Sequence, residues 1–301
     1  MGLELLRSIL FVPANNWRLI QSARRERPDA IILDLEDAVP IEDKETARWF
    51  MRDAIKLLKE EDHTIIVRVN GLATGLTKID LEFALQKGVD AVMLPKTEAK
   101  EEILRLEKLI ESEEEKKGLS ETRIFPLIES VKGIFNVDDI VFSSKRICAV
   151  GFGAADYLRD FGRSYFSISP DQIELLYPRA RLAIAARAAG LPAVDTPFLG
   201  LIIDKEGLTK EANIALSLGF KGKMCIHPAH IEILNKIFSP SEKDVEMARK
   251  IIKAYEEAKA RGLGATSLEG RMIDEVTYKM AVETLNMHEI IIKRSKHQFV
   301  K

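Results

Sequence analysis

Three observations predict a (β/α)8 TIM barrel followed by a C-terminal helical extension. Short β-branched or apolar runs alternate with longer amphipathic segments along the 301 residues. There are eight such runs, and each is nearly continuously apolar, as a parallel strand covered on both faces should be. Reactive side chains gather where the runs end, the face on which such a barrel does its chemistry.

The runs lie at 7–13 (RSILFVP), 30–36 (AIILDLE), 64–70 (TIIVRVN), 91–96 (AVMLPK), 123–129 (RIFPLIE), 146–153 (RICAVGFG), 193–199 (AVDTPFL) and 222–227 (GKMCIH). Helical patterns fill the gaps. One spans 41–59, and another spans 98–117 with Ile103, Leu106, Leu109 and Ile110 on one face. The same alternation could build a doubly wound open sheet, but no GxGxxG follows the first run, so a dinucleotide fold lacks its fingerprint. Segment 156–170 carries Tyr157, Phe161, Tyr165 and Phe166 before a helix at 172–189. It is expected as an extended loop over the barrel mouth or as an aromatic cluster beneath that loop. The barrel is expected to end near Phe238, giving domains at 1–238 and 239–301. Ser239, Pro240 and Glu242 then read as N-cap, first helical residue and capping-box acid of a helix that runs to Arg261 and stops at Gly262. A Gly-rich turn at 262–270, a helix at 273–287 and a frayed basic end at 293–301 complete the chain.

Composition narrows the function classes. At 46% hydrophobic and 31% charged, the chain is too apolar to be disordered. A net charge of −2 gives no dominant basic field, so nucleic acid is not an expected partner. The longest stretch free of Asp, Glu, Lys and Arg is 8–17, far short of the roughly 20 residues of a membrane span. No apolar export segment is seen at the start, and Cys148 and Cys225 both sit in apolar runs. Reduced core thiols and a cytoplasmic location are therefore expected.

Glu36 and Asp37 end the second run, Arg68 and Asn70 the third, Lys96 the fourth and Glu129 the fifth. Asp156 follows the sixth, Asp195 lies in the seventh and His227 ends the eighth. Glu129 and Asp156 come from consecutive strands. Two carboxylates at one mouth repel unless a proton or cation lies between them. Two hard oxygen donors are too few for Ca²⁺ and suit Mg²⁺, which keeps waters and lets substrate complete its octahedron. A pair of solvated strand-end acids is the alternative. Gly151 and Gly153 would let a ligand approach the backbone. Arg68, inside an apolar strand, must be paired or functional. Its fork can hold a carboxylate or a developing oxyanion, or form an ion pair with Glu36 or Asp37, and both can be true. His227 and His230 flank Pro228 with no third ligand nearby, so a structural role is expected. The cysteines lack CxxC spacing, so no metal or redox role is expected of them.

Nine motifs occur in order: RSILFVPANN, AIILDLEDAVPIEDKETAR, VRVNG, LPKTE, PLIES, GFGAADY, VDTPF, GFKGKMCIHP and LEGRMID. Together, across nearly the whole chain, they closely resemble the citrate lyase β-subunit-like family, which includes malyl-CoA and citramalyl-CoA lyases. The resemblance implies a homotrimer or hexamer and a Mg²⁺-dependent carbon–carbon lyase. Its substrate would be a 3-hydroxyacyl thioester of the citryl-, malyl- or citramalyl-CoA type, cleaved to a 2-oxo acid and an acetyl thioester, or formed in reverse. By motif, Glu129 and Asp156 correspond to metal ligands and Arg68 to the oxo-acid contact. Asp37 and Glu36 correspond to partners of metal-bound water, and Pro95, Lys96, Gly153, Ala154 and Ala155 to substrate contacts. Asp274 resembles an acid that reaches a neighbouring subunit's site from the C-terminal segment. In the N-terminal motif, which resembles a CoA-binding part, Ala14 replaces the family's usual glycine and Trp17 follows shortly after. Three other readings stand beside this one: a citrate lyase complex β subunit using an acyl-carrier-protein thioester, a silent scaffold subunit, and a Schiff-base aldolase using Lys96.

Overall fold

The computed structural model describes residues 3–299 except 165, 167 and 170. Among these, eight parallel strands close into a barrel: β1 (Ser8–Pro13), β2 (Ala30–Asp34), β3 (Ile65–Arg68), β4 (Ala91–Leu94), β5 (Arg123–Ile128), β6 (Val150–Phe152), β7 (Ala193–Asp195) and β8 (Gly222–Cys225). Each strand pairs with the next, and β8 returns to β1. All eight fall within the predicted runs. Closure excludes the open sheet.

Side-chain parity divides the strands into two layers. Ile9, Ile32, Ile66, Met93, Phe125, Leu127, Val194 and Met224 point inward and fill the barrel as one buried cluster. The alternate residues face the surrounding helices: α1 (Trp17–Ala23), α2 (Lys44–Glu60), α3 (Thr77–Ala84), α4 (Lys100–Lys117), α5 (Val131–Phe135), α6 (Val137–Val141), α7 (Ala154–Asp160), α8 (Ile173–Ala188), α9 (Lys205–Ser217) and α10 (Ile231–Ile237). The predicted helix at 41–59 is a 3-10 turn at Ile41–Asp43 running into α2.

Parity also corrects one expected mouth residue. Asp195 alternates with the inward Val194, so it faces the helices. There it is fully buried, with Arg179 Nε 2.9 Å from one oxygen and Lys223 Nζ 2.6 Å from the other. Glu211 accepts from the same two cations, and Gln172 bridges Arg179 and Glu211. Burial alone would raise the Asp195 pKa, but Arg179 and Lys223 outweigh it and hold the carboxyl below its usual range. Two cations and two anions balance in a buried space. The network ties α8 and α9 to β7 and β8.

Segment 156–170 is not a loop from its start, because α7 occupies its first residues. Tyr157 is buried against Phe152 and stacks on Phe161 at 5.7 Å, whereas Phe166 is exposed. Tyr165 and Pro170 lie outside the described residues. Both thiols are free: Cys225 is buried and Cys148 half-buried, and burial pushes each up to about 12.

The chain divides into two compact units, Met1–Lys236 and Ile237–Lys301. The second contains α11 (Glu242–Ala260), a hairpin of β9 (Thr266–Leu268) and β10 (Arg271–Ile273), and α12 (Glu275–Phe299). Three expectations shift here. The N-cap of α11 is Ser241, not Ser239, because Asp244 completes its capping box from the third helical position. The Gly-rich turn is a hairpin whose reversal uses Glu269 and Gly270, both at positive φ. The helix expected at 273–287 is longer: α12 continues through Phe299 into the basic end, while Val300 and Lys301 lie outside the described residues. Tyr255 and Tyr278 pack α11 on α12, with ring centroids 4.8 Å apart.

Removing one cation from the balanced network leaves a buried carboxylate unpaired. Lys223→Met should cost roughly 3–5 kcal/mol of barrel stability, read by chemical denaturation. A cost within about 1 kcal/mol would show the pairing to be dispensable.

Candidate active site

Continuing the inward parity to the last residues of β2 and β3, and just past the ends of β5, β6 and β7, places Asp34, Arg68, Glu129, Gly153 and Thr196 on the layer above the core. That layer floors a cavity of about 480 Å³, which Asp156, from the first turn of α7, also lines. Phe11, Leu127, Pro197, Phe198 and Ile226 make much of its wall apolar.

Arg68 is the central cation. Its Nε donates to Asp34 Oδ1 at 2.7 Å and its Nη2 to Asp34 Oδ2 at 2.6 Å, a two-toothed pair between residues directly in register across β2 and β3. Nη1 lies 3.0 Å from Glu36 Oε2, and the guanidinium sits 4.7 Å above the Phe11 ring. Burial would lower its pKa, but Asp34, Glu36 and Glu129 raise it further, so the charge is permanent. The sequence predicts an ion pair with Glu36 or Asp37 as one role for Arg68. Glu36 is there, Asp37 is not, and the principal partner is Asp34. Alternation had the signal, since Asp34 and Glu36 share a parity.

Glu129 is buried beneath the cavity. Its Oε1 accepts from the main-chain N–H of Lys96 at 2.7 Å. Burial first, and then the charges of Glu36 and Asp156, push it up to about 8 against the pull of Arg68 and the Lys96 amide. A cation at this mouth would reverse that penalty. Gly153 makes the room: a Cβ there would lie 2.6 Å from Glu129 Oε2 and 2.7 Å from Glu129 Cβ. Gly151 does not serve a ligand, because its space holds Leu127 and Phe125. Asp156 pairs with the exposed Arg159 at 3.0 Å. Among the described residues no set of three or more His, Cys, Asp or Glu gathers as a metal cage. The available donor set is the two-carboxylate kind, which fits a small cation that retains its waters.

The remaining expected residues divide. Glu36, Asp37, Pro95 and Lys96 line a neighbouring groove of about 290 Å³ rather than the main cavity. Lys96 has φ +51°, which turns its ammonium onto Glu36 and, at 3.1 Å, onto Asp37. Burial would lower its pKa, but those carboxylates raise it, which favours the ammonium over a nucleophilic amine. Glu36 itself is raised by burial against the pull of Arg68 and Lys96. Ala155 lines the cavity, but Ala154 is buried and donates its N–H to Thr196 Oγ1 at 3.0 Å. Asp274 lies in the second unit. There its Oδ1 accepts from the Thr277 N–H at 2.9 Å, a capping arrangement that lowers its pKa. His227 Nδ1 accepts from the Ala229 N–H, and His230 is buried beside the Ile202 carbonyl; both contacts are structural.

Sequence reasoning missed Lys44. It is buried, and its ammonium donates to the Leu35 and Glu36 carbonyls at 2.6 and 2.7 Å, fixing the corner that carries Glu36 and Asp37. Asn70 supports the same corner by donating to the Leu35 carbonyl and to Asp80.

The model of the HpcH/HpaI aldolase/citrate lyase family matches residues 7–228, almost three quarters of the chain and all eight strands. The chain belongs to this family. Its relatives within the family include citrate lyase subunit beta of Haemophilus influenzae, 39% identical over 90% of this chain and 93% of that protein. The L-malyl-CoA/beta-methylmalyl-CoA lyase of Cereibacter sphaeroides is 33% identical over 94% of each chain. Among solved structures, protein CitE of Mycobacterium tuberculosis in complex with magnesium, acetoacetate and coenzyme A is 26% identical. It covers 95% of this chain and 98% of that one, with a TM-score of 0.72.

Because this family barrel holds Glu129 against a glycine, Gly153→Ala should displace the carboxylate while leaving the barrel folded. Calorimetric uptake of a divalent cation should weaken by about tenfold or more, with an unchanged circular dichroism spectrum. Wild-type uptake would mean Glu129 is not a ligand.

Proposed function

We propose that the barrel is a Mg²⁺-dependent lyase cleaving the carbon–carbon bond of a 3-hydroxyacyl thioester. The products are a 2-oxo acid and an acetyl thioester, and the same site can run the condensation in reverse. The observation that carries this reading is the meeting of the Glu129–Asp156 pair with the fixed Arg68 cation at one cavity, in a chain whose family relatives include citrate lyase β subunits and a malyl-CoA lyase.

Glu129 and Asp156 would hold the cation. Bound there, Mg²⁺ supplies Lewis-acid polarisation of the substrate's hydroxyl and carboxylate oxygens. Arg68, clamped by Asp34, presents a permanent positive charge to the negative oxygens of the departing oxo acid. Glu36 and Asp37 order water and charge beside the pair. The hydroxyl loses its proton, the adjacent carbon–carbon bond breaks, and the acetyl-thioester enolate takes up a proton at carbon. Asp274 is the acid/base proposed for that transfer, delivered from a neighbouring subunit of a homotrimer or hexamer by the C-terminal unit. Gly153 and Ala155, with Pro95 and Lys96 at the adjoining groove, bound the substrate. The unpaired thiols suit the reducing cytoplasm. Among the described residues no helix is long and apolar enough to cross a membrane.

The 39% identity to a citrate lyase β subunit favours a second reading, in which the thioester is carried by an acyl carrier protein. Assaying malyl-, citramalyl- and citryl-thioesters of both carriers, with the oxo acid identified by mass spectrometry, separates the two. Turnover should vanish with EDTA and survive borohydride added with substrate; trapping of a covalent adduct would overturn the metal reading. Glu129→Gln and Asp156→Asn should each lower kcat/KM by about 100-fold or more. Asp274→Ala should lower kcat, and unchanged turnover would remove Asp274 from the reaction.

A further inference from the structure

Five carboxylates crowd the mouth and its adjoining groove: Asp34, Glu36, Asp37, Glu129 and Asp156. They are not equally available. Asp34 is forked by Arg68, and Glu36 contacts both Arg68 and Lys96. Asp37 contacts Lys96 alone of the two, at 3.1 Å. Glu129 has no ion-pair partner among the described residues and meets Lys96 only through its main-chain N–H. Asp156 has only the largely exposed Arg159, which solvent screens.

One residue therefore touches three of the five acids in two ways. The left-handed backbone at Lys96, uncommon for lysine, sends the amide to Glu129 and the ammonium to Glu36 and Asp37. Without that ammonium, Asp37 and the Glu36 oxygen it holds would also be released in the adjoining groove, while Arg68 stays on the other Glu36 oxygen; these two acids could take a second ion or add oxygens toward the 6–8 that Ca²⁺ needs. With the ammonium in place, Glu129 and Asp156 remain.

We propose that Lys96 is a positioning residue that sets the cation stoichiometry and selectivity of the site: its ammonium withholds Glu36 and Asp37, and its amide orients Glu129. This rests on the assignment of Mg²⁺ to Glu129 and Asp156. It gives Lys96 a task distinct from substrate contact or Schiff-base chemistry.

The test is calorimetric titration of the intact protein with MgCl2 and with CaCl2, without substrate. Wild type should take up one Mg²⁺ per chain. Lys96→Met should take up a second divalent ion, or raise Ca²⁺ affinity relative to Mg²⁺ by about tenfold. Lys96→Gly, which adopts the same backbone freely, should behave likewise and serves if the methionine variant does not fold. Lys96→Arg keeps a cation and should retain single-ion uptake. One ion at the wild-type Ca²⁺/Mg²⁺ ratio in both uncharged variants overturns the proposal, as does equal weakening for both ions. A wild-type protein that takes up no Mg²⁺ defeats the metal assignment itself, and this inference with it.

Discussion

Arg68 lies inside the barrel layer, above a core of aliphatic and aromatic side chains, and a guanidinium there is tolerable only if its hydrogens are met. Asp34 meets them from the paired position on β2, with two bonds of 2.7 and 2.6 Å. The rest of the mouth follows from that fork. It fixes the guanidinium plane over Phe11 and leaves the third nitrogen against Glu36. Glu36 in turn receives Lys96, whose backbone holds Glu129. A chain of alternating charges thus runs across three neighbouring strands and reaches the fifth, each member setting the next one's position.

The chain is not balanced, and the imbalance has chemical content. Around Arg68 and Lys96 stand five carboxylates, so negative charge is in excess wherever all are ionised. The deficit falls on Glu129, the most buried of the uncompensated acids, which is pushed up to about 8. A site of this kind stores unfavourable electrostatics that a proton on Glu129 or a further cation relieves. The strength of the fork makes this possible, because Arg68 is already committed to Asp34 and cannot swing to neutralise Glu129.

Much of this was legible in the sequence, because hydrophobic periodicity dictates both strands and facing. The eight runs gave the eight strands, and their ends gave Arg68, Glu129 and Asp156 at one cavity. The differences trace to parity. Asp195 sits between inward Val194 and inward Thr196, which turns it outward, away from the mouth. Asp34 shares the parity of Glu36, and the register sets it opposite Arg68. Other features had no local signal at all. Lys44 reads as one more surface lysine until its ammonium is seen on two carbonyls from the preceding corner. The positive φ of Lys96 belongs to the return of the chain toward β5, where Thr97 donates to the Leu127 carbonyl. The end of α12 lay beyond any Gly or Pro stop signal.

The same two-sided strands explain how the barrel tolerates so tense a mouth. The residues at and just beyond the strand ends are crowded with like charge, and one of them, Lys96, has a left-handed backbone. Those features oppose folding. On the outer side of β7 and β8 the arrangement is the opposite: Asp195 and Lys223 meet Arg179 of α8 and Glu211 of α9, two anions and two cations, mutually paired and buried. The balanced network lies on strands that contribute neither Arg68 nor either carboxylate of the pair. It can fix the helix layer without competing for the charges that the cavity uses. Separation by parity and by strand lets one sheet hold a fully compensated ion cluster on its outer side and an undercompensated one at its mouth, and only the second has spare charge to offer a ligand.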